Sequence, residues 1–391
     1  MYDVLVIGGG PVGSRVAHML AEVGYEVVVL EQKERVGEVV CCTGIVSQEC
    51  VSSFSIDDSV VLKRVNSARL FSPSGEVLRL WRKETQACIL DRAAFNTDMA
   101  GRAQGRGAEY VLGGLVSDIQ VGNDGVMVEV ASRGERLNFE GRVAVIAAGF
   151  RSKLVERLGL GKVGDFVVGT QADVQSTVDE VEVYFGRGIA PGFFAWLVPT
   201  SPGGARVGLM TRRSPGQYLG RLMSSLLTQG KIVSADAELS YGGIPLKPLS
   251  RTYGDRVLVV GDAAGQVKPT TGGGIYYGLL CADIAADTLL RALQKDDLSA
   301  RSLACYEREW KKRLKRELEI DYYARKFYER LNDGQIDRIF DIIKSNGLDK
   351  DLLKAEDLSF DWHGKVVLRL VGNRAVSRAF KVMKIPFRLR W

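Results

Sequence analysis

The chain has 391 residues, of which 46% are hydrophobic and 26% are charged, a composition typical of a folded protein rather than of a disordered or fibrous one. A single hydrophobic core stops growing at roughly 250–300 residues, so the length predicts at least two lobes. The net charge of +6 comes from residues 360–391, which hold eight basic residues and one acidic residue. The rest of the chain has no positive excess, which argues against nucleic acid as a partner.

The sequence shows no sign of membrane spans, a leader or a metal site. No segment reaches the roughly 18 apolar residues of a spanning helix, and a predicted strand begins at Tyr2 without a preceding leader. We therefore expect a cytoplasmic protein. The six cysteines (41, 42, 50, 88, 281 and 305) have neither the spacing of a metal site nor the setting of a disulfide framework, so we expect no metal.

The predicted elements begin with a strand, a helix and a second strand. The strands cover residues 2–7 and 26–30, and the helix between them ends near Val23. A hairpin is predicted around residues 72–75, because Ser-Pro-Ser-Gly is a turn sequence. The elements predicted after it are a helix over 91–101 and strands over 108–119, 125–131 and 137–147.

The later sequence alternates between two kinds of pattern. Residues 165–245 are β-rich, with strands at 193–198 and 205–210, whereas a strand at 256–260 and a helix from about Gly273 to Leu293 return to the earlier pattern. We predict an α/β (mixed α+β) fold with a Rossmann-like domain, a β-rich domain and a helical C-terminal region. The expected boundaries are 1–55, 90–165 and 252–298 for the first domain, 56–89 and 166–251 for the second, and 299–391 for the helical region.

A glycine motif follows the first predicted strand. In Gly8-x-Gly10-x-x-Gly13 the glycines permit a tight turn, a close approach to a pyrophosphate and helix packing on the strand, and Glu31 can accept hydrogen bonds from a ribose. The residues expected to bind a dinucleotide here are Gly8, Gly10, Pro11, Val12, Gly13, Glu31 and Gln32. Residues 159–164 match the same motif but follow a helical pattern and precede a strand, so they predict no second site.

Three later motifs carry a family resemblance. They are Asp91-Arg92, VIAAGFRS at 145–152 and GDRVLVVGDAAG at 254–265. With the glycine motif, they resemble the FAD-binding group of the p-hydroxybenzoate hydroxylase fold over roughly residues 1–300, which implies FAD as the cofactor. The implied additional FAD-binding residues are Arg92, Gly149, Gly261, Asp262, Pro269, Gly272, Gly273, Gly274 and Ile275. A helix N-terminus after Gly273 can stabilise negative charge on a reduced flavin.

The segment 261–278, GDAAGQVKPTTGGGIYYG, is most similar to the geranylgeranyl reductase family. Those enzymes saturate isoprenoid double bonds with reduced FAD. Phe-x-Trp-x-Val-Pro at 194–199, followed by Gly208-x-Met210, is similar to the family's substrate pattern Tyr-x-Trp-x-Phe-Pro and Gly-x-Gly, with three departures. The implied substrate residues are Phe194, Trp196, Pro199 and Tyr276. An aromatic strand packed on a core is the alternative for the first two.

The loop 37–44, GEVVCCTG, resembles the family segment that places a cysteine beside the flavin. Cys42 is the better match and is implied in catalysis and FAD binding, with inert packing as the alternative. The two histidines, His18 and His363, lie far from every motif. A proton must therefore come from Tyr, Cys, Lys or water, and Tyr276 and Tyr277 are candidates by position.

The C-terminal segment predicts a basic amphipathic helix. Its basic residues are Arg374, Arg378 and Lys381, and its apolar residues are Val376, Phe380 and Met383. Such a helix can lie on an anionic bilayer, which predicts peripheral membrane contact. The alternative is that the apolar face packs on the protein itself.

These patterns predict a FAD-dependent oxidoreductase that acts on CH–CH groups. It would reduce isoprenoid C=C bonds of a prenylated small molecule or lipid, a quinone or a pigment. One alternative is a monooxygenase or halogenase, since the segment 194–199 is also distantly similar to Trp-x-Trp-x-Ile-Pro of flavin-dependent halogenases. Another is a membrane-associated electron-transfer flavoprotein. The electron donor stays open between a ferredoxin-like protein and NAD(P)H.

Overall fold

The structure is a computed structural model that describes residues 1–38, 41–150, 153–350 and 359–372. The chain divides into two compact units. The first unit contains Met1–Val40, Arg92–Phe166 and Gly243–Leu318. The second contains Cys41–Asp91, Val167–Gly242 and Glu319–Trp391. The segment 374–383, on which the predicted basic helix depends, lies outside the described residues.

Runs of consecutive strands are separated by helices, and the chain from α6 onward is helical in its described part. In chain order the strands are β1 Tyr2–Ile7, β2 Val27–Leu30, β3 Ile45–Ser47, β4 Val61–Val65, β5 Ser67–Phe71, β6 Val77–Trp81, β7 Ala87–Leu90, β8 Glu109–Val111, β9 Leu115–Val121, β10 Val126–Ser132, β11 Glu135–Ile146, β12 Phe166–Gln175, β13 Val181–Phe185, β14 Phe194–Pro199, β15 Gly204–Thr211, β16 Ser240–Pro245, β17 Tyr253–Gly254 and β18 Val257–Val259. The helices are α1 Pro11–Ala21, α2 Gln48–Ser53, α3 Arg92–Gln104, α4 Lys153–Arg157, α5 Pro215–Thr228, α6 Ile275–Gln294, α7 Ala300–Tyr328, α8 Asp333–Ser345 and α9 Gly364–Gly372.

The first unit is built on a mainly parallel sheet with the order β17-β18-β11-β1-β2-β8. Strand β1 pairs in parallel with both β2 and β11, and its residues Val4 to Ile7 are buried. Such a continuous apolar run is typical of a parallel strand covered on both faces. The strands β9 and β10 form an antiparallel extension on the first half of β11. The carboxyl ends of β1, β2 and β18 therefore lie at one edge, where ligands bind in such folds.

The second unit contains a seven-stranded sheet, β16-β12-β15-β14-β13-β5-β6, and a three-stranded sheet, β3-β7-β4. The hairpin predicted around 72–75 is confirmed by the antiparallel pair β5–β6. Helix α5 lies within the segment expected to be β-rich. It forms because Leu219, Leu222, Met223 and Leu226 recur at helical spacing and are all buried against one face of the sheet.

The prediction of a single strand over residues 108–119 is wrong. The structure has two strands, β8 and β9, separated by Gly113 and Gly114, and Gly113 has φ of +71°. The two strands also have different partners, because β8 extends the parallel sheet beside β2 while β9 pairs with β10. The glycine pair allows the chain to change direction between them.

The compact units divide the chain differently from the expected domains. Residues 41–55 were expected in the first domain, yet they belong to the second unit, where β3 pairs with β7. The C-terminal region is helical in its described part, but its residues are shared: those up to Leu318 belong to the first unit and those from Glu319 to the second. These boundaries depend on pairing between strands that are distant in sequence, and such pairing cannot be predicted from the local sequence pattern.

Candidate functional site

Three glycines shape the start of α1. Two of them are required by close backbone contacts, and the third has free space beside its backbone. Gly8 has φ of +108°, and a Cβ atom there would lie 2.5 Å from the carbonyl oxygen of Ala147. A Cβ atom at Gly13 would lie 2.0 Å from the carbonyl oxygen of Gly8. At Gly10, by contrast, no described atom lies within 4 Å of the Cβ position. The backbone of Gly10, which precedes α1, is therefore accessible to a ligand at the helix N-terminus.

The Glu31 carboxylate ties the end of β2 to this turn. It accepts the backbone N–H of Gly9 at 2.7 Å and that of Lys33 at 2.9 Å. Each carboxylate oxygen keeps a further lone pair, so the side chain can still accept from a ribose hydroxyl. Gln32, the next residue, is exposed.

Val12 joins two of the motifs that the sequence singled out. Its Cγ2 atom would lie 3.2 Å from a Cβ atom on Gly261 and 2.7 Å from one on Gly278. The absent side chains at these two glycines let α1 pack closely on α6 and on the turn after β18. Because this packing places the turns after β1 and β18 together, one ligand can contact both.

Arg92 begins α3 and is buried without a full set of partners. Its side chain is 8% exposed, lies over the Phe95 ring at 5.3 Å, and has no hydrogen-bond partner among the described residues for Nε and Nη1. One turn later, Asn96 is 6% exposed and its Oδ1 has no partner in the same described set. Buried polar atoms without partners are rare because each costs about 1–3 kcal/mol. Together they indicate a polar ligand at this place.

Asp262 follows β18 and faces the start of α6. A Cβ atom on Gly274 would lie 2.7 Å from Asp262 Oδ1, so a glycine is needed where the carboxyl group approaches the helix N-terminus. The turn is held by Gln266, which accepts from the Gly261 N–H and donates to the Tyr306 hydroxyl, both at 2.8 Å. Burial raises the pKa of Asp262 to about 6, against the opposing effect of the positive charge of Arg92.

This raised pKa predicts a pH dependence for the protein without bound cofactor. Between about pH 4 and pH 6 the folded state holds a proton on Asp262 that the unfolded state has lost, so the free energy of unfolding falls as the pH rises through this window. The expected contribution is on the order of 1–3 kcal/mol. Urea unfolding at several pH values checks it. The variant Asp262→Asn should flatten the slope in this window, and an unchanged slope would contradict the assignment.

The loop from Lys268 to Gly274 forms a compact bridge into α6. Lys268 donates its backbone N–H to Gly273 O and accepts from the Gly272 N–H. Its side chain is 3% exposed, and its Cε would lie 2.8 Å from a Cβ atom on Gly273. Pro269 is buried and Gly272 has φ of +73°. Ile275 is the first residue of α6, and the loop therefore brings a buried ammonium group to this helix N-terminus.

Two tyrosines follow in the first turn of α6. Tyr276 is 8% exposed and Tyr277 is fully buried, with ring centroids 6.2 Å apart. Gly149, which follows β11, has φ of +72° and no described atom within 4 Å of its Cβ position. All the predicted dinucleotide and FAD residues except Cys42, together with Tyr276, thus belong to the first unit.

The second unit holds the remaining predicted site residues. Phe194 and Trp196 lie on the same face of β14, opposite Ala195 and Leu197, which pack on α5. A Cβ atom on Gly208, directly across on β15, would lie 2.5 Å from Trp196 Cζ2. The indole Nε1 is buried with no hydrogen-bond partner among the described residues. Pro199 is buried at the end of the strand, so these positions combine core packing with a half-exposed aromatic surface.

The two neighbouring cysteines are both free and half-buried. Burial raises the pKa of the Cys41 thiol, and a hydrogen bond with Ser240 lowers it by a smaller amount. The carbonyl oxygen of Cys42 accepts from the Gln171 amide at 3.3 Å. These contacts hold the backbone of the loop and the Cys41 side chain in place. Cys42 is half-buried.

Sequence reasoning missed several residues that the fold places at these positions. Asn96 and the Lys268 side chain are the clearest examples, since both are buried beside predicted FAD residues. An Asn one turn after Arg92 and a Lys within a glycine-rich loop are unremarkable in sequence. They are identified only by the burial of their side chains in the folded structure.

Comparisons with known proteins agree with this geometry. The profile of the FAD binding domain family matches residues 1–214. The digeranylgeranylglycerophospholipid reductase of Methanocaldococcus jannaschii is 30% identical over 351 residues, which cover 87% of this chain and 90% of that protein. The chain belongs to the geranylgeranyl reductase family of FAD-binding proteins. Its cofactor is FAD.

Two solved structures show how widely this fold is shared. A geranylgeranyl bacteriochlorophyll reductase-like protein from Thermoplasma acidophilum has a TM-score of 0.85 at 24% identity and covers 98% of both chains. A flavin-dependent brominase has a TM-score of 0.69 at 15% identity, covering 94% of this chain and 97% of that chain. Both likenesses concern the fold alone. In the described part of this chain, no helix is long and apolar enough to cross a membrane.

The residues of the first unit fit FAD. The accessible Gly10 backbone suits a pyrophosphate, and the unpartnered donors of Arg92 suit a phosphate or carbonyl oxygen. We expect Gly10→Ala to weaken FAD binding at least about tenfold, because the new methyl group occupies space needed by the pyrophosphate. The cofactor-free protein should keep its melting temperature, since the methyl group meets no described protein atom. Flavin fluorescence titration and thermal unfolding check the two parts, and unchanged affinity would contradict the role of Gly10.

Proposed function

We propose that this protein reduces the C=C double bonds of isoprenoid chains carried by a lipid. The observation that carries the proposal is its similarity, across 87% of the chain, to a reductase whose name specifies a digeranylgeranyl lipid. Reduced FAD, when bound, supplies a hydride to an alkene. The protein must then position the alkene, exclude water and provide a proton.

The first unit would hold the cofactor by its predicted residues. The backbone at Gly10 would approach the pyrophosphate, Glu31 would accept from a ribose, and Asp262 would accept from the ribityl chain. Arg92 and Asn96 would use their unpartnered buried atoms on the same molecule. The N-terminus of α6, with the Lys268 side chain beside it, would stabilise negative charge on the reduced cofactor.

The second unit would supply the apolar surface for the isoprenoid. Phe194 and Trp196 have ring centroids 6.0 Å apart and present a continuous aromatic face. Gly208 leaves room for the indole and so determines where its ring lies. An apolar chain offers few polar anchors, and binding by this surface would therefore depend on the area it buries.

Cys42 is our candidate for a functional thiol at the reacting carbon. We expect Cys42→Ala to lower kcat about 100-fold, as removal of a positioned proton donor does. Cys41→Ala is the matched control, because that thiol is held by Ser240 and its pKa is raised by burial. Steady-state kinetics with the reduced enzyme check the difference. Equal activity of both variants would remove Cys42 from the mechanism.

The test of the function itself is an anaerobic reaction. Holoenzyme reduced with dithionite is incubated with digeranylgeranylglyceryl phosphate, and the lipid is analysed by mass spectrometry. We expect stepwise gains of two hydrogen atoms without dioxygen. A lipid that stays unchanged anaerobically, while a substrate is oxygenated or halogenated in air, would overturn the proposal.

The electron donor and any membrane contact belong to the same proposal. We expect either a ferredoxin-like protein or transiently bound NAD(P)H to bleach the oxidised flavin, and anaerobic stopped-flow measurements with each separate the two. We also expect the basic C-terminal segment to bring the enzyme to anionic vesicles. Co-sedimentation with such vesicles, compared with neutral ones, checks this expectation.

A further inference from the structure

A buried arginine in the second unit lacks acceptors for part of its guanidinium group. Arg325, on α7, is 4% exposed, and neither Nε nor Nη2 has a hydrogen-bond partner among the described residues. The Oε1 atom of Glu329 lies 3.9 Å from Nε, within ion-pair range but beyond hydrogen-bond distance. Glu329 also accepts from Arg212 at 2.8 Å. Lys326 Nζ lies 3.8 Å from the other carboxylate oxygen, so the charge of Glu329 is shared among three basic residues.

The guanidinium group is held by stacking on an aromatic ring in addition to its long ion pair with Glu329. Its Cζ lies 3.4 Å from the centroid of the Phe193 ring, which is itself 1% exposed. The Tyr328 hydroxyl donates to the Phe193 carbonyl oxygen at 3.1 Å, which holds the helix against this residue. Burial lowers the pKa of Arg325 to about 9, which still leaves the group charged at neutral pH.

This cation lies at one end of a continuous aromatic surface. Trp196 contacts Phe194, Phe194 contacts Phe185 at 6.2 Å between centroids, and Phe185 contacts Tyr328 at 5.9 Å. Tyr328 in turn lies 5.1 Å from the Arg325 guanidinium. The surface that we assign to the isoprenoid chain thus leads, within one unit, to a buried positive charge.

A buried arginine whose donors lack acceptors lowers the stability of the folded protein. A buried charge without full hydrogen bonding is strongly destabilising, and an apolar residue of the same volume would usually be at least as stable. Arginine is well suited to phosphate because its planar N–H donors match two phosphate oxygens at once. An apolar surface that ends in unpartnered arginine donors is complementary to an amphiphile with an apolar chain and an anionic head.

We propose that Arg325 binds the phosphate group of the isoprenoid substrate while the aromatic surface from Trp196 to Tyr328 binds the adjoining chain. This inference rests on the proposed function and names the residue that would recognise a phosphate group on its isoprenoid substrate. The phosphate can belong to a glycerophospholipid or to a prenyl diphosphate, which share the chemistry that Arg325 recognises.

The test compares matched pairs of substrates with reduced holoenzyme. One pair is digeranylgeranylglyceryl phosphate and digeranylgeranylglycerol, and the other is geranylgeranyl diphosphate and geranylgeraniol. We expect the phosphate-bearing member of at least one pair to have a kcat/KM at least about tenfold higher. The pair that shows the larger advantage identifies the source of the phosphate.

Variants then test whether the higher kcat/KM of the phosphate-bearing substrate depends on Arg325. Arg325→Met should raise KM for the phosphate-bearing substrate about 10- to 100-fold and leave the neutral one within about twofold. Arg325→Lys should restore part of the loss, because it keeps a charge without the bidentate fork. Arg338→Gln, on the exposed side of α8, is the control and should change neither substrate.

The outcomes separate this inference from the proposed function. Reduction of both members of each pair with equal kcat/KM by the unmodified enzyme would overturn the phosphate site and leave the reductase intact. No reduction of any of the four substrates would count against the proposed function itself. Should Arg325→Met not fold, inhibition of the unmodified enzyme by inorganic pyrophosphate decides: competition against the phosphate-bearing substrate supports the site, and its absence overturns it.

Discussion

Replacing Gly13 by alanine should yield a protein that purifies without bound FAD. The new Cβ atom would lie 2.0 Å from the carbonyl oxygen of Gly8 and 3.2 Å from Val6 Cγ1. Because the first contact is with backbone, the turn after β1 must move to accommodate it. Overpacking of this kind costs about 1–3 kcal/mol, and a displaced turn no longer presents its N–H groups to a pyrophosphate.

The measurements are the flavin absorbance of the purified protein and its melting temperature. Gly101→Ala is the control, since Gly101 lies within α3, has no described atom within 4 Å of its Cβ position, and does not have a positive φ. That variant should retain FAD and gain about 0.5–1 kcal/mol from improved helix propensity. Full flavin content in Gly13→Ala would mean that the turn does not bind the cofactor.

Replacing Arg92 by methionine should have opposite effects on binding and on stability. Loss of charge-assisted hydrogen bonds to the cofactor should weaken FAD binding about 10- to 100-fold. The cofactor-free protein should be unchanged or more stable by about 1 kcal/mol, because the variant removes a buried charge whose Nε and Nη1 have no described partner. It should also raise the pKa of Asp262 further, since Arg92 lowers it.

Isothermal titration with FAD and urea unfolding of the cofactor-free protein measure the two effects. Arg102→Gln serves as the control on the same helix, where the arginine forms a partly exposed ion pair with Asp98 at 2.9 Å. That pair is expected to contribute no more than about 0.5 kcal/mol. If Arg92→Met lost stability in the cofactor-free state and bound FAD normally, the arginine would be structural.

The glycine motif could be recognised in the sequence because its residues act through the backbone. The positive φ of Gly8 is a local requirement of the turn, and Gly13 is required by the close carbonyl oxygen of Gly8, only a few residues earlier. Such local requirements leave a fixed spacing in the sequence. The second glycine motif, at residues 159–164, follows α4 and precedes β12, so it forms no helix N-terminus.

Residues that depend on distant partners were not predictable in the same way. Val12 was predicted as a cofactor contact, and the structure adds that its side chain fills the space left by Gly261 and Gly278. Helix α5 was missed because a β-rich segment surrounds it. Arg325 carries no motif, and its position against Phe193 joins residues more than a hundred positions apart.

The amino-acid sequence by itself predicted a dinucleotide cofactor, because strand, glycine turn and helix follow one another within about 30 residues, and the later motifs, which end with the segment 261–278, predicted FAD and the family by resemblance. The tertiary structure alone decided which buried polar groups lack partners, as Arg92, Asn96 and Arg325 do among the described residues. The reason is physical. Desolvation depends on every chain segment that packs around a group, and no local pattern of residues records that sum.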